Sequence, residues 1–361
     1  MSESLASTID HGTRVIAPQV RLRHLQGPAD VIFVTVTAGR QVFFGFGDGS
    51  VGTMPLQSAS TLSLETLALG GLPICGTTDV DGASVLLGFD DGRLLSLAAG
   101  LEVETLLALP ETRSERWINA LAATPASGLR ACASGRSVWV LDAGGVLLGS
   151  LAEHPSTVSD VCFSPDGRSL AVAHYGGVSV WELDDASVLP ERRQLLAWHG
   201  SHTRVRWSPD GRFLVSALQE NELHCWRMPQ AKGMRMSGYP AKIRSLSWTA
   251  DGRCLAVSGA DTVTTWSFGA EGPSARPPGE FGYVHEGVVH QVAAHPSEHV
   301  VAGGYSDGTV LAGSIERETA IMVRPGEGAA VSALAWAPQG DALVAGSRAG
   351  EIAVCFVDAL C

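Results

Sequence analysis

One stretch of the chain is written three times. Residues 157–183 read T-V-S-D-V-C-F-S-P-D-G-R-S-L-A-V-A-H-Y-G-G-V-S-V-W-E-L, and close copies follow at residues 203–228 and 242–268. Each copy has alternating apolar positions, a Pro-Asp-Gly or Ala-Asp-Gly turn, a second apolar run, another turn and a tryptophan near its end. This pattern predicts three short strands joined by tight turns. Because such a meander cannot bury its own apolar surface, the copies must stack against one another.

Weaker copies extend this repeat over most of the chain. The repeats begin at Val31, Ile74, Ile118, Val158, Thr203, Ile243, Val288 and Val331, at intervals of 40 to 45 residues. A fourth short extended run lies between successive copies, for example at residues 102–108 and 145–151. Four strands in a period of this length predict an all-β propeller. We predict eight four-stranded blades, with seven as the alternative.

The two ends of the chain predict how the ring closes. The last repeat ends at Val357 without a fourth strand, whereas residues 14–23 form an extra strand before the first repeat. We expect this N-terminal strand to complete the last blade, since closure removes an exposed sheet edge. The predicted organisation is a flexible tail at residues 1–13 and one propeller domain at residues 14–361. Insertions at residues 184–193 and 269–282 are expected to be exposed, flexible loops.

Composition limits the classes of partner and the compartment. The 361 residues are 45% hydrophobic and carry a net charge of −12, which argues against binding to the nucleic-acid backbone. Seven cysteines without any C-x-x-C spacing predict free thiols in a reducing compartment. The N-terminus lacks a signal-peptide pattern, and the apolar runs are too short to span a membrane. We therefore expect a cytoplasmic protein with no membrane or nucleic-acid partner.

Several short motifs recur at fixed places in the repeats: S-P-D-G at residues 164–167 and 208–211, the turns around Asp48, Asp91 and Asp307, and Trp181, Trp226 and Trp266. Together they resemble WD40-repeat proteins, in particular stand-alone bacterial ones. The Trp-Asp pair of the family is absent. The resemblance implies a propeller, usually with seven blades, that acts as a noncatalytic scaffold for protein–protein interaction. It also implies a structural relay of buried hydrogen bonds formed by His202, Ser216, Glu220 and Trp226.

The strand order predicts which residues share a face. Loops that enter the first strand of each repeat and turns between the second and third strands lie on one side, here called the top face. The residues expected on its rim are Trp117, Asn119, Asp160, Arg204, Arg206, Lys242, Arg244 and His290. Four of them are cations in two adjacent repeats, which suits carboxylate or phosphate groups on a protein partner. The alternative is that they are ordinary solvated loop residues.

Histidines were considered as metal ligands. His285, His290, His295 and His299 are closely spaced, but a whole strand of roughly 16 Å separates His290 from His295. One metal ion cannot reach both, and the pair His199 and His202 lacks a third ligand. We predict neither a metal site nor a cofactor.

No catalytic residue is predicted. The string Gly304–Gly308 reads G-x-S-x-G, but it falls in a hairpin turn, whereas a nucleophile elbow joins a strand to a helix. The leading function is a noncatalytic scaffold that binds proteins through its top face and rim. The alternative is a propeller enzyme, or a small-ligand or metal-binding protein, with a site at the central channel.

Overall fold

The computed structural model describes residues 14–16, 20–57, 62–113, 115–151, 153–183, 193–316, 319–326 and 328–357, and all regular structure among them is β. The first sixteen strands are β1 (Arg14–Ile16), β2 (Val20–Gln26), β3 (Val31–Val36), β4 (Gln41–Phe46), β5 (Ser50–Pro55), β6 (Glu65–Ala68), β7 (Pro73–Thr78), β8 (Val85–Phe89), β9 (Arg93–Leu97), β10 (Val103–Ala108), β11 (Ala120–Thr124), β12 (Leu129–Ser134), β13 (Ser137–Leu141), β14 (Leu147–Leu151), β15 (Asp160–Phe163) and β16 (Ser169–Glu182). The others are β17 (Gln194–Trp207), β18 (Phe213–Leu218), β19 (Leu223–Arg227), β20 (Lys232–Met236), β21 (Leu246–Trp248), β22 (Cys254–Val257), β23 (Val263–Gly269), β24 (Gly272–Pro273), β25 (Gly279–Phe281), β26 (Val289–Ala294), β27 (Val300–Tyr305), β28 (Val310–Ser314), β29 (Thr319–Arg324), β30 (Val331–Trp336), β31 (Ala342–Ser347) and β32 (Glu351–Val357). No helix in the described part of the chain is long and apolar enough to cross a membrane.

The Asp-Gly turns fix the first hairpin of the strong repeats. In the turn between β15 and β16, Ser164 Oγ donates to Asp166 Oδ1 at 2.6 Å, and the same carboxylate oxygen accepts from the backbone N–H of Arg168. Gly167 closes the turn with φ of +71°, a conformation that glycine adopts without steric cost. Ser208 with Asp210 and Thr249 with Asp251 form the same bond at 2.6 and 2.7 Å. The predicted turns are confirmed.

The sheets form the predicted propeller. The described residues make seven hydrogen-bonded sheets, and one of them contains β15 to β20 in order. In that sheet β17 is shared: its first residues pair with β16, and its last residues pair with β18. Counted as hydrogen-bonded sheets, the molecule therefore has seven blades, the alternative number. All eight predicted repeats are present, because the six-stranded sheet contains two of them.

The innermost strands make a closed ring around one axis. They are β3, β7, β11, β15, β17, β21, β26 and β30; each contacts the next, and β30 contacts β3. Hydrophobic clusters fill the junctions between successive repeats. At the closing junction, Phe44 and Phe46 of the first repeat pack with Val344 and Ile352 of the last. Each repeat thus buries its apolar faces against both of its neighbours, as the sequence required.

The N-terminal strand closes the ring, although its bounds differ from the prediction. β2 pairs antiparallel with β32 from Val20 opposite Val357 to Gln26 opposite Glu351. The single strand predicted at residues 14–23 is wrong, because Arg14–Ile16 form a separate strand that pairs parallel with β29 of the neighbouring blade. Pro18 stands between the two segments in the sequence, and proline cannot donate to a strand ladder.

The second insertion is more ordered than predicted. Residues 269–282 contain β24 and β25, and β25 pairs with β23 as the outer strand of its repeat. Phe281 is buried between this repeat and the next, which explains why the end of the segment is held in place. The expectation of a loop is wrong for β25, and the expectation of exposure is wrong for Phe281 and Gly282, whereas Gly279 and Glu280 are exposed. The predicted tail at residues 1–13 and nearly all of the insertion at residues 184–193 lie outside the described residues.

Candidate functional site

The inner strands surround a central channel. Every repeat contributes to its wall, for example through Phe33, Cys75, Asn119, Asp160, Arg206, Ser245, Gln291 and Ser332. Most of these positions lie just before an inner strand or within its first three residues. Because every repeat places the start of its inner strand at the channel, polar groups that are far apart in the sequence meet there.

Side chains at the start of the inner strands link neighbouring repeats. The donors and their backbone carbonyl acceptors are Cys75 to Ile118, Asn119 to Val158, Ser159 to His202, Arg204 to Arg244, Ser245 to Val292, Gln291 to Ser332 and Ser332 to Val31. These bonds span seven of the eight junctions among the described residues. At the remaining junction the ring of Phe33 packs over Gly45 and Gly76, where any Cβ would overlap it. Several channel positions are thus used to hold the ring together.

The top end of the channel is strongly basic. A cavity of about 430 Å³ opens there, and its lining includes Arg204, Lys242, Arg244, His290 and Arg348, which we call the basic mouth. The four cations come from the fifth, sixth and eighth repeats, so they approach the cavity from different sides. Among the described residues, none of these four forms an ion pair with a carboxylate.

Arg204 and Arg206 are close together on β17 but differ in their partners. Arg206 Nη1 lies 2.7 Å from Asp160 Oδ2, and this carboxylate raises the pKa of Arg206. Asp160 is buried and also accepts from the backbone N–H of Val205, so the pair ties β15 to β17. In the described part of the chain, Arg204 donates to the carbonyls of Thr203 and Arg244 and to no carboxylate, so its charge is held in place without being neutralised.

His290 is electrostatically sensitive to this surrounding charge. Burial lowers the pKa of His290 below its usual value, and the charges of Arg244 and Arg348 lower it further. The imidazole is therefore neutral at neutral pH. An anion bound in the basic mouth would oppose the effect of the two arginines and raise the pKa of His290.

Asp30 is the single carboxylate that lines the basic mouth among the described residues. Its side-chain oxygen lies so close to Gly47, in the turn between β4 and β5, that a Cβ at Gly47 would overlap it. Asp30 is thus held against its own repeat. One carboxylate does not balance the four cations, so the basic mouth is strongly positive although the net charge of the protein is −12.

Trp117 and Asn119 belong to a separate depression next to the channel. Glu115, Arg116, Trp117, Asn119, Gly135 and Thr157 line it. Trp117 is 68% exposed, although a tryptophan side chain is large and apolar. Asn119 also lines the channel, so the depression adjoins the channel. Tyr175, which is 64% exposed, follows on the next repeat, where Ser156 Oγ accepts from its backbone N–H.

The predicted relay is only partly formed. His202 Nδ1 lies 2.7 Å from Ser216 Oγ, whereas Glu220 accepts from the backbone N–H of Ser201 instead of contacting the imidazole. Trp226 packs against His202 with ring centroids 5.8 Å apart. A bond that the sequence reasoning missed occurs one repeat earlier, where Trp181 Nε1 donates to His154 Nε2 at 3.1 Å. The signal for it was the Glu153-His154 pair in the position of the Gly-His of the family.

The closely spaced histidines have separate surroundings. His290 lies at the basic mouth, whereas His295 is buried with Nε2 2.9 Å from the carbonyl oxygen of Gly340. His299 bridges Asp251 at 2.9 Å and Glu316 at 2.7 Å. Within the described ranges, no group of three or more histidine, cysteine or acidic side chains is placed to hold a metal ion.

Four of the eight predicted rim residues meet at one place. Arg204, Lys242, Arg244 and His290 line the basic mouth; Asp160 and Arg206 lie deeper in the channel, and Trp117 and Asn119 line the adjoining depression. Sequence reasoning missed Asp30, Gln291, Ser332 and Arg348. Arg348 lies in the turn between β31 and β32, and such turns share the top face, so its position in the repeat was an available signal.

The closed ring of four-stranded repeats around a channel makes the molecule a β-propeller. Residues 145–182 match the model of the family described as "WD domain, G-beta repeat". These residues include Trp181 and the S-P-D-G turn that the sequence repeats. The chain is thus a β-propeller that contains a WD40 repeat at residues 145–182 and is similar to WD40-repeat proteins.

Two relatives share part of this sequence. A chromatin assembly factor 1 subunit FAS2 homolog from Oryza sativa subsp. japonica is 32% identical over 31% of the chain and 23% of its own length. The meiotic recombination protein rec14 from Schizosaccharomyces pombe is 29% identical over 33% of the chain and 39% of its own length. The alignments thus span well under half of both relatives. Neither is bacterial, so they do not support the bacterial part of the resemblance.

A solved structure matches most of the chain. The computationally designed protein Ika8 superposes with a TM-score of 0.73 over 92% of the chain and 98% of its own length. At 18% identity this likeness concerns the fold alone.

Proposed function

We propose that the protein is a noncatalytic scaffold that binds a partner protein through the top face, with the basic mouth as the centre of contact. One observation carries this proposal: four cations without carboxylate partners among the described residues converge on one cavity of an acidic protein. Keeping like charges together costs electrostatic energy, which a partner with anionic groups recovers on binding. The relatives named as a chromatin assembly subunit and a recombination protein fit a role in protein assemblies.

The chemistry of the channel supports a noncatalytic role. Burial raises the pKa of the Cys75 thiol to about 12, so the thiolate needed for nucleophilic attack is scarce at neutral pH. Asp160 is engaged by Arg206 and the Val205 N–H, which leaves it poorly placed as a general base. We further propose a cytoplasmic location, in keeping with the six free cysteines of the described residues.

The decisive experiment compares charge reversals on opposite faces. Full-length protein carrying Arg244→Glu and Lys242→Glu is used to capture partners from a lysate of its own organism, beside wild type and Arg253→Glu. Arg253 is a matched control because it is an exposed arginine in a turn on the opposite face. We expect the top-face double variant to lose proteins that wild type and Arg253→Glu both retain. Equal capture by all three proteins would contradict the proposal.

A further inference from the structure

We propose that the basic mouth binds a phosphate monoester carried on a segment of the partner protein. This inference rests on the proposed function and specifies the chemical group that the top face recognises. The starting point is the number of hydrogen-bond donors: Arg244 and Arg348 each carry five N–H groups and Lys242 carries three. No carboxylate in the described part of the chain engages these side chains, so the donors face the cavity unpaired by opposite charge.

A phosphate monoester matches these donors better than a carboxylate does. It carries a charge of about −1.5 to −2 at neutral pH and three strongly accepting oxygens, whereas a carboxylate has one charge and two oxygens. The cations reach the cavity from β17, from the segment before β21 and from the turn after β31. Only a ligand with acceptors pointing in several directions can contact all three groups at once. Arginine is the side chain whose planar donor pair fits phosphate oxygens best.

The dimensions of the site favour a phosphorylated side chain over a bare surface contact. The cavity of about 430 Å³ has room for a phosphoryl group together with the side chain that carries it. Gln291 and Ser332 also line it and add neutral polar groups next to the cations. His290 at its edge can donate a further hydrogen bond to a phosphate oxygen.

The surroundings favour a polypeptide over a lipid headgroup or nucleic acid. The depression that contains the exposed Trp117 adjoins the channel at Asn119, and it gives a flanking apolar side chain a place to bind. An anionic membrane or a nucleic acid presents negative charge over a broad area and would be repelled by a protein of net charge −12. A single phosphorylated residue in an extended segment is small enough to interact with the basic mouth alone, where the potential is positive.

The test uses peptides of defined chemistry. Fluorescent degenerate nonapeptides with a central phosphoserine are titrated with full-length protein, and binding is read by fluorescence polarisation. Parallel titrations use the same library with serine or glutamate at the centre, and vesicles of phosphatidylcholine with phosphatidylinositol 4-phosphate. We expect the phosphoserine library to bind at least tenfold more tightly than either other library, and vesicle binding to be absent.

Neutral variants locate the site. We expect Arg244→Gln and Arg348→Gln each to weaken binding of the phosphoserine library roughly tenfold, since each loses charge-assisted hydrogen bonds. Arg253→Gln should bind as wild type does. Equal affinity for the serine library, binding to vesicles alone, no binding at all, or unchanged affinity in both mouth variants would each overturn the proposal.

Treatment with a phosphatase tests this inference independently of the proposed function. The lysate capture is repeated after treatment of the lysate with a protein phosphatase. Loss of the top-face partners after treatment supports a phosphate ligand. Retention of partners that still depend on Arg244 and Lys242 would leave the scaffold function standing and refute the phosphate inference.

Discussion

At the scale of single residues, burial decides which histidines can carry charge. His154 and His202 are fully buried near the tryptophans of their repeats, and burial lowers the pKa of each to about 4. His154 has its Nδ1 near the Arg136 carbonyl and accepts from Trp181 at Nε2, so the neutral form with the proton on Nδ1 fits both contacts. If Nε2 were protonated, its N–H would face the Trp181 N–H and the hydrogen bond between the two rings would be lost. His290 is less buried, and besides burial the charges of Arg244 and Arg348 lower its pKa.

The buried histidine His154 should make the fold sensitive to acid. Its pKa is lowered on folding, so the unfolded chain binds the proton more readily, and stability falls as the pH drops from about 6.5 toward 4. We expect His154→Gln, which keeps an acceptor but cannot titrate, to lower the thermal midpoint at pH 7.5 and to reduce its further fall at pH 5. Thermal unfolding followed by circular dichroism at both pH values measures this.

His299 supplies a control of opposite sign. Glu316 and Asp251 raise the pKa of His299, so its contribution to stability is present below about pH 6.5 and is lost as the pH rises through the raised pKa. His299→Gln should therefore increase the fall in midpoint on acidification. The same pH dependence in wild type and both variants would contradict the assignment.

The local field at the basic mouth should be visible in the titration of His290. Because Arg244 and Arg348 contribute to its lowered pKa, we expect Arg244→Gln and Arg348→Gln to raise that pKa toward the ordinary value. The imidazole signals in proton–carbon correlation spectra, followed against pH, report it directly. Arg253→Gln should leave the titration as in wild type. No change in either mouth variant would show that His290 is shielded from these charges.

At the scale of strands and turns, local pattern was enough to locate most elements. Alternating apolar residues and Asp-Gly turns depend on neighbours within a few residues, so the predicted repeat starts lie within three residues of the inner strands, for example Ile74 for β7 and Ile243 for β21. Contacts between repeats are set by packing of residues about 43 positions apart. Sequence pattern therefore did not show that β17 serves two repeats, that Arg14–Ile16 pair with β29, or that Arg348 joins Arg244 at the mouth.

Two equivalent turns allow the energetic cost of backbone strain to be measured separately from the cost of a steric clash. Gly82 and Gly167 close the same kind of turn with φ of +68° and +71°. A Cβ at Gly82 meets nothing within 4 Å, whereas one at Gly167 lies 2.7 Å from Ser127 Oγ and 3.0 Å from its Cβ. We expect Gly82→Ala to destabilise the fold by about 1 kcal/mol through the left-handed backbone alone, and Gly167→Ala to cost clearly more. Denaturant unfolding of the two variants tests this, and equal losses would contradict a role for Ser127.

At the scale of the whole molecule, the ring is held shut by strands from opposite ends of the described chain. β2 pairs with β32 along seven residues, and Gln26 Nε2 adds a bond of 2.9 Å to the carbonyl of Ala349. Leu22 packs toward the junction of the last two repeats, while Leu25 packs toward the junction of the last and first. One short strand thus supports two interfaces. The basic mouth depends on this closure, since its residues come from both sides of the ring, Asp30 and Arg348 among them.

Substitutions in β2 should therefore loosen the ring in a side-chain-specific way. Leu25→Ala removes apolar contacts at the closing junction, and because Leu25 is only partly buried we expect a loss of about 2 kcal/mol, at the low end for leucine truncation. His24→Ala on the same strand is exposed and should cost little. Denaturant unfolding gives the free energies, and limited proteolysis followed by mass spectrometry should show earlier cleavage near residues 20–26 in Leu25→Ala. If both variants matched wild type in stability and cleavage, the strand would be paired in the fold without contributing to its closure.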